Sequence, residues 1–563
     1  MWLSATDPGF DTVGFYASHF NAATRILFQP RTQVVPPLEP KSLQGLNSKY
    51  SFSRECVLRD GGFEGWKQLS TESSQAILLR LRHEAFPRKN RTAMTFPWWS
   101  LLPFVAMLAS IAVLPILPAT AHWWEKRSSQ LLVALVLGIP TSVYMWMKAG
   151  NGALVATGVE YVQFIALLLS LFVISGGIHL EGDIQATPRN NTIFLAIGGL
   201  LASFIGTTGA AMLLIRPLLA TNKEREHRVH TVLFTIFIVA NCGGLLTPLG
   251  DPPLFLGFLH GVPFTWTLGL WKEWLFVLVL LLGIYYSIDS IRYATESKAA
   301  IERDTTEVTP LKLRGTFNLL FFAIVIVSVA FIPSWDGELL ATGEAHGAQL
   351  VPWRELVMLT AAAASYFFGD KTVRFEENAF TWAPIAEVAT LFIGIFSTMA
   401  PALRYLEQVA PSLPLNRMTF FLFSGSLSSV LDNAPTYMTF FEMAKALGGD
   451  GVLIAGVPEY YLVPISLGAV LCGAITYIGN GPNFMVKSVA DADGVAMPSF
   501  GAYVVKAFEY LVPTLTAMVL LFLAESLLAH LLGFVIVALL IIFAVLRILR
   551  ARKILAEGET STS

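Results

Sequence analysis

Hydrophobic positions in this chain come in long unbroken runs rather than in the spaced stripes of soluble amphipathic helices. Runs long enough to cross about 30 Å of hydrocarbon lie near 98–118, 129–150, 158–180, 229–258, 274–291, 315–333, 353–369, 384–402, 463–484, 501–524 and 530–549. They predict an all-α polytopic membrane protein with about 11 spans. Two further stretches, 192–220 and 417–445, are apolar at both ends and polar in the middle. Gly206-Thr207-Thr208-Gly209 interrupts the first, and Asp432-Asn433-Ala434-Pro435-Thr436 the second. Glycine weakens a helix, proline removes a donor, and Asp, Asn or Thr can cap a helix that restarts. Each stretch therefore reads either as a single long span or as a re-entrant hairpin with its tip at mid-membrane.

Loop charges orient the scheme, because Lys and Arg gather on the cytoplasmic side. Lys223, Arg225 and Arg228 mark 221–228, while Arg292, Lys298, Arg303, Lys312 and Arg314 mark 292–314. The tail carries Arg547, Arg550, Arg552 and Lys553, but 334–352 and 446–462 have no Lys or Arg. All these loops fall on the expected sides if both broken stretches are hairpins, the first opening to the cytoplasm and the second to the outside. This gives a first membrane half at 94–303, an inverted second half at 304–550 and a cytoplasmic tail at 551–563. Residues 1–93 differ: they hold Pro30, Pro36, Pro37 and Pro40, no spanning run, and a basic cluster of Arg80, Arg82, Arg88, Lys89 and Arg91. The scheme puts Met94 outside, where that cluster would be misplaced. Met94 is therefore read as the functional start, and 1–93 as a mis-called or dispensable extension.

The two halves share a motif. Thr247-Pro248-Leu249-Gly250-Asp251-Pro252-Pro253-Leu254-Phe255 matches Thr476-Tyr477-Ile478-Gly479-Asn480-Gly481-Pro482-Asn483-Phe484 as Thr, any, Leu/Ile, Gly, Asp/Asn, any, Pro, any, Phe. Each copy follows the polar tip of its own broken stretch, so each half has a hairpin and then a discontinuous helix. Paired interrupted segments in inverted repeats point to a transporter's binding site near the midplane. Freed carbonyls with Thr, Asn and Asp oxygens suit a hard cation, whereas helix N-termini favour an anion. Carboxylates break the tie, since one intramembrane acid can hold a cation or a proton. Asp432 is the principal candidate, with Na⁺ bound there as the hypothesis. Asp251 is the second, although Gly-Asp-Pro-Pro equally suits a helix cap. Asn433, Asn480 and Asn483 add neutral oxygens, and Thr207, Thr208, Thr247, Thr436 and Thr476 can complete the shell, although a lone threonine more often bonds its own helix. Glu387 is a candidate proton relay.

Composition narrows the classes further. Charged residues are 14% and hydrophobic ones 54%, too apolar for a soluble exterior. A net charge of -2 excludes a general grip on nucleic acid. Cys56, Cys242 and Cys472 are too scattered for a disulfide framework or a zinc site. No nucleophile elbow, HExxH, Walker A or GxGxxG motif lies on a suitable element, so no enzyme and no cofactor beyond transported Na⁺ and H⁺ are expected.

Ser429-Val430-Leu431-Asp432-Asn433-Ala434-Pro435-Thr436, with Ile475-Thr476-Tyr477-Ile478-Gly479-Asn480-Gly481-Pro482-Asn483-Phe484-Met485-Val486-Lys487, resembles the ion-transporter superfamily. Within it the chain is most similar to NhaD-type sodium/proton antiporters and the CitM-like citrate-transporter clade, over about 94–550. The resemblance implies opposed hairpins and unwound helices around substrate and coupling ion, in an integral protein of the bacterial inner (plasma) membrane. It also allows a homodimer. The dicarboxylate branch carries Ser-Asn-Thr at both tips, and this chain does not, which favours a cation. Sodium/proton antiport of Na⁺ or Li⁺ is thus the first expectation, and symport of citrate or a related carboxylate, bare or metal-complexed, the alternative.

Overall fold

A computed structural model describes residues 95–560, apart from 116, 307, 308, 344 and 450. The chain divides into two units, Met1–Ala93 and Met94–Ser563; expectations about 1–93, Met94 and the basic cluster lie outside the described residues. The described residues of the second unit are all-α apart from two short ribbons. Among the described residues, six helices are long and apolar enough to cross a membrane, which makes this a polytopic membrane protein.

The first half runs α1 (Leu102–Val113), α2 (Arg127–Ala149), α3 (Asn151–Ser175), α4 (Pro188–Ile205), α5 (Thr207–Thr221), α6 (Val229–Ile238), α7 (Pro252–Leu259) and α8 (Trp271–Ala294). A surface helix, α9 (Lys298–Thr306), leads to the second half: α10 (Asn318–Phe331), α11 (Trp353–Phe368), α12 (Ala383–Val409), α13 (Arg417–Ser428), α14 (Asn433–Leu447), α15 (Glu459–Leu471), α16 (Gly481–Ala492), α17 (Phe500–Met518) and α18 (Leu527–Thr560).

Both broken stretches double back. Gly206 alone separates α4 from α5, at φ 82°, a left-handed conformation that glycine adopts without a Cβ penalty. Asn191 at the start of α4 and Asn222 just past α5 exchange side-chain hydrogen bonds of 2.8 and 3.0 Å, which only an antiparallel pair allows. Across the second hairpin, Phe420 of α13 meets Phe440 of α14 edge to face at 6.3 Å.

The hairpins open toward opposite ends. Arg228, just before α6 at the base of the first, pairs with Asp493 after α16 at 3.5 Å. At the other end, Phe420 meets Tyr461 of α15 at 5.0 Å, and His260 beyond α7 meets Phe441 of α14 at 5.9 Å. The inner limbs cross between repeats, with α5 packed on α16 and α14 on α7. Helices α12 and α3 form a wall beside this core, α12 against α2, α3 and α14, and α11 against α3.

The apolar runs 229–258 and 463–484 each hold two helices joined by an unwound segment, because Gly-rich backbone is needed where the segments meet. A Cβ on Gly479 would stand 2.5 Å from the Gly473 carbonyl oxygen and 2.7 Å from that of Ser428. Gly250 meets the Gly244 carbonyl in the same way. Loop order was missed by hydropathy: β1 (His179–Asp183) pairs antiparallel with β2 (Thr309–Arg314), His179 opposite Arg314. These strands are too short and polar to register as periodic runs.

Candidate functional site

Each unwound segment is tied to its own hairpin in the same way. Thr247 donates its hydroxyl to the Ser203 carbonyl and accepts from the Leu249 N–H at 3.2 Å. Thr476 donates to the Ser429 carbonyl at 2.5 Å and accepts from Ile478 and Gly479 N–H at 3.2 and 3.1 Å. Ser203 and Ser428 add hydroxyl bonds to Gly243 and Ala469 carbonyls, at 2.5 and 2.6 Å. The matched threonines are thus staples that satisfy backbone freed by the breaks, as buried polar groups require.

Asp251 stands where the four elements converge, 1% exposed. Its Oδ1 accepts from Thr207 Oγ1 at 3.0 Å and Asn480 Nδ2 at 3.2 Å, and its Oδ2 from Asn433 Nδ2 at 2.5 Å. The Thr207 backbone N–H adds a bond to the Gly250 carbonyl at 2.8 Å. One carboxylate therefore joins both hairpin tips and the second unwound segment to the first. Asn433 is fully buried, and its Oδ1 has no hydrogen-bond partner. A buried carbonyl oxygen left free beside a carboxylate is an arrangement a cation or a proton donor would complete.

The other expected residues fall in different places. Asp432 caps α14, accepting from the Ala434 N–H at 3.2 Å; it is half-buried and makes no hydrogen bond to the Asp251 group. Thr436 donates back to the Asp432 carbonyl at 3.0 Å. Thr208 is half-buried on the cavity wall. Asn483 is saturated: its Nδ2 donates to Gly473 and Thr476 carbonyls, both at 2.9 Å, and its Oδ1 accepts from Asn241 Nδ2 at 2.6 Å. Glu387 is exposed and accepts from Gln130 Nε2 at 3.0 Å; its neighbours Ile385 and Val388 line the cavity instead.

Asn241 is the residue the motif missed. Fully buried, it reaches both Asn483 and Asn480, the latter through its Oδ1 at 3.2 Å, so it stitches the two unwound segments together. It lies six residues before the matched Thr247, and the corresponding position in the second half is apolar. Its only signal was being the polar residue that ends the apolar run Ile236–Ala240.

Beside Asp251 lies a cavity of about 100 Å³. Its walls are Phe164, Leu167 and Leu171 of α3, Ile385 and Val388 of α12, the Gly206–Gly209 tip, and Pro482 and Met485 of α16. No Lys or Arg is among its lining residues. Elsewhere, Glu226, His227 and Glu296 have metal-ligand spacing. The Glu296 oxygens already accept from the Glu226 and His227 N–H groups at 3.0 and 3.1 Å, so this cluster staples a loop.

Opposed hairpins and two crossed, interrupted helices around a buried carboxylate define a membrane transporter. The model of the family described as "Putative citrate transport" matches residues 93–523, and the chain belongs to that family. No curated protein matches the chain.

Proposed function

We propose that this chain is a secondary transporter that moves a citrate-class carboxylate together with a cation. The observation that carries the second half of this reading is Asp251, with the unpartnered Asn433 Oδ1 beside it and no Lys or Arg among the cavity's lining residues. A bare tricarboxylate would meet a like charge there, with no basic side chain among the lining residues to offset it. A carboxylate that arrives as a divalent-metal complex, or with coupling cations, presents the positive charge that Asp251 and Asn433 suit. The membrane is taken to be a bacterial inner membrane, with the basic end of α18 in the cytoplasm.

The same observation supports a second reading, exchange of Na⁺ or Li⁺ for H⁺ at Asp251, since a cavity without basic side chains accepts a cation alone. Proteoliposomes separate the two. Labelled citrate should enter saturably with Mg²⁺, Ca²⁺ or Na⁺ present, and uptake should collapse when every candidate cation is withdrawn. If citrate stays outside while Na⁺ or Li⁺ dissipates an imposed pH gradient, the carboxylate reading is wrong and antiport stands.

A further inference from the structure

A second buried polar group sits at the far end of α7. Arg354 and Glu355 open α11, 5% and 2% exposed. Arg354 Nε donates to Glu355 Oε1 at 2.8 Å, and Nη2 lies 2.8 Å from the same oxygen without the alignment of a hydrogen bond. Glu355 Oε2 accepts from Ser334 Oγ at 2.5 Å, and Gln163 of α3 donates to Ser334 Oγ and the Trp335 carbonyl, both at 2.9 Å. Within this network the Trp335 indole N–H is also buried with no partner. The indole N–H is thus an orphaned donor, and both paired Arg354 nitrogens crowd one carboxylate oxygen; such a network has donors to spare for a further acceptor.

A structural arginine in this protein looks different. Arg374, 1% exposed, spends its donors on the Val173 and Ser365 carbonyls at 2.5 and 3.0 Å and on Ser365 Oγ at 2.9 Å, at the C-terminal ends of α3 and α11. Helix dipoles favour a cation there. Arg354 lies in the first turn of α11, the end that disfavours one, and shares a single carboxylate oxygen. Its guanidinium stacks over Phe255 at 5.9 Å and Phe258 at 5.4 Å. Phe255 is a wall of the cavity and lies about one helical turn, roughly 6 Å, beyond Asp251.

We propose that Arg354 and Trp335 form an anion subsite that receives a carboxylate of the substrate at the end of α7 remote from Asp251. The charges are then sorted along α7, with cation-seeking oxygens at its start and anion-seeking N–H groups at its end. A metal–carboxylate complex needs that polarity, and guanidinium is the side chain best shaped for a carboxylate. The subsite rests on the carboxylate reading above.

The test uses the full chain in proteoliposomes. Trp335→Phe keeps an aromatic ring and removes the indole N–H together with the fused five-membered ring, so its thermal stability is measured alongside. Arg354→Gln with Glu355→Gln removes both charges, so no unpaired buried carboxylate is left to unfold the protein. Each should raise the KM for citrate by about tenfold or more, the loss expected for a hydrogen bond to a charged group. Each should move KM more than kcat, and leave the apparent affinity for the coupling cation unchanged. Wild-type uptake with citrate KM unchanged in both variants overturns the subsite and leaves the transport reading intact. A wild-type protein that neither imports citrate nor gains thermal stability from it overturns the carboxylate reading itself, and the subsite with it.

Discussion

Asp251→Asn isolates the charge at the centre of the site from its hydrogen bonds. In the native protein, Asp251 Oδ1 takes Thr207 and Asn480, and Oδ2 takes Asn433 Nδ2. The asparagine keeps an oxygen for the first two and puts an NH₂ opposite Asn433. Asn433 can answer by flipping its amide, because its Oδ1 has no partner to give up. The remaining mismatch is unpaired N–H donors, about 1–2 kcal/mol of stability. The loss to a bound cation is larger. Two unit charges 4 Å apart attract by about 4 kcal/mol at an effective dielectric of 20. The retained amide dipole recovers part of this, so a loss of about 3–4 kcal/mol is expected, or two to three orders of magnitude in affinity. Cation dependence of citrate uptake, with binding followed by calorimetry on the same preparation, measures it. A variant that melts near the wild-type temperature and transports at a few per cent of its rate is expected. Near-native transport and cation affinity would refute the assignment of Asp251. Asp432→Asn is the companion measurement: asparagine caps a helix as well as aspartate, and Asp432 stands outside the hydrogen-bonded group, so a milder loss is expected. A collapse at Asp432 with an intact Asp251→Asn protein would reverse the two roles.

Asn241→Ala should lower the melting temperature more than Asp251→Asn does, because it strands the Ile236 carbonyl and Asn483 Oδ1 at about 1–3 kcal/mol for each group left unsatisfied, while Asn480 Nδ2 keeps the Ala240 carbonyl and Asp251 Oδ1; a thermal melt in detergent is sufficient. Gly479→Ala should yield little folded protein by size-exclusion chromatography, since its Cβ would stand 2.5 Å from a backbone oxygen, whereas Gly481→Ala meets nothing within 4 Å and should be tolerated. Equal behaviour of the two would remove the close approach as an explanation for the motif. Single cysteines in 334–352 and 446–462 should label from outside and those in 221–228 and 292–314 from inside; protection of 446–462 from external reagent would break the assigned orientation.

The interrupted architecture was legible in the sequence because each of its signals is local. A run of apolar residues either reaches across a bilayer or does not, and Gly206, Pro435 and the Gly-Asp-Pro and Gly-Asn-Gly-Pro breaks act on the backbone where they stand. The repeat of Thr, Gly and Asp/Asn at fixed spacing marks both unwound segments, and the structure shows why: the glycine permits the crossing and the threonine ties it down. The family resemblance narrowed the cargo to two classes and put sodium/proton antiport first, whereas the family match stands closer to the alternative, citrate.

What each polar residue does with its hydrogen bonds was decided only by the tertiary structure. Asp251 and Asp432 look alike in sequence, both beside a break and both able to cap. One lies where four segments converge, while the other faces its own helix start. Asn483 looks like a ligand until Asn241, a residue of the other half with no counterpart in the motif, takes its oxygen. Glu387 sits one step around α12 from residues that line the cavity, and a rotation of about 100° per residue is enough to turn it away. Arg354 and Trp335 lie in loop-proximal sequence with no motif at all. Composition and spacing state which groups must be buried. Which donor meets which acceptor depends on how the two inverted halves pack, and no segment contains that information alone.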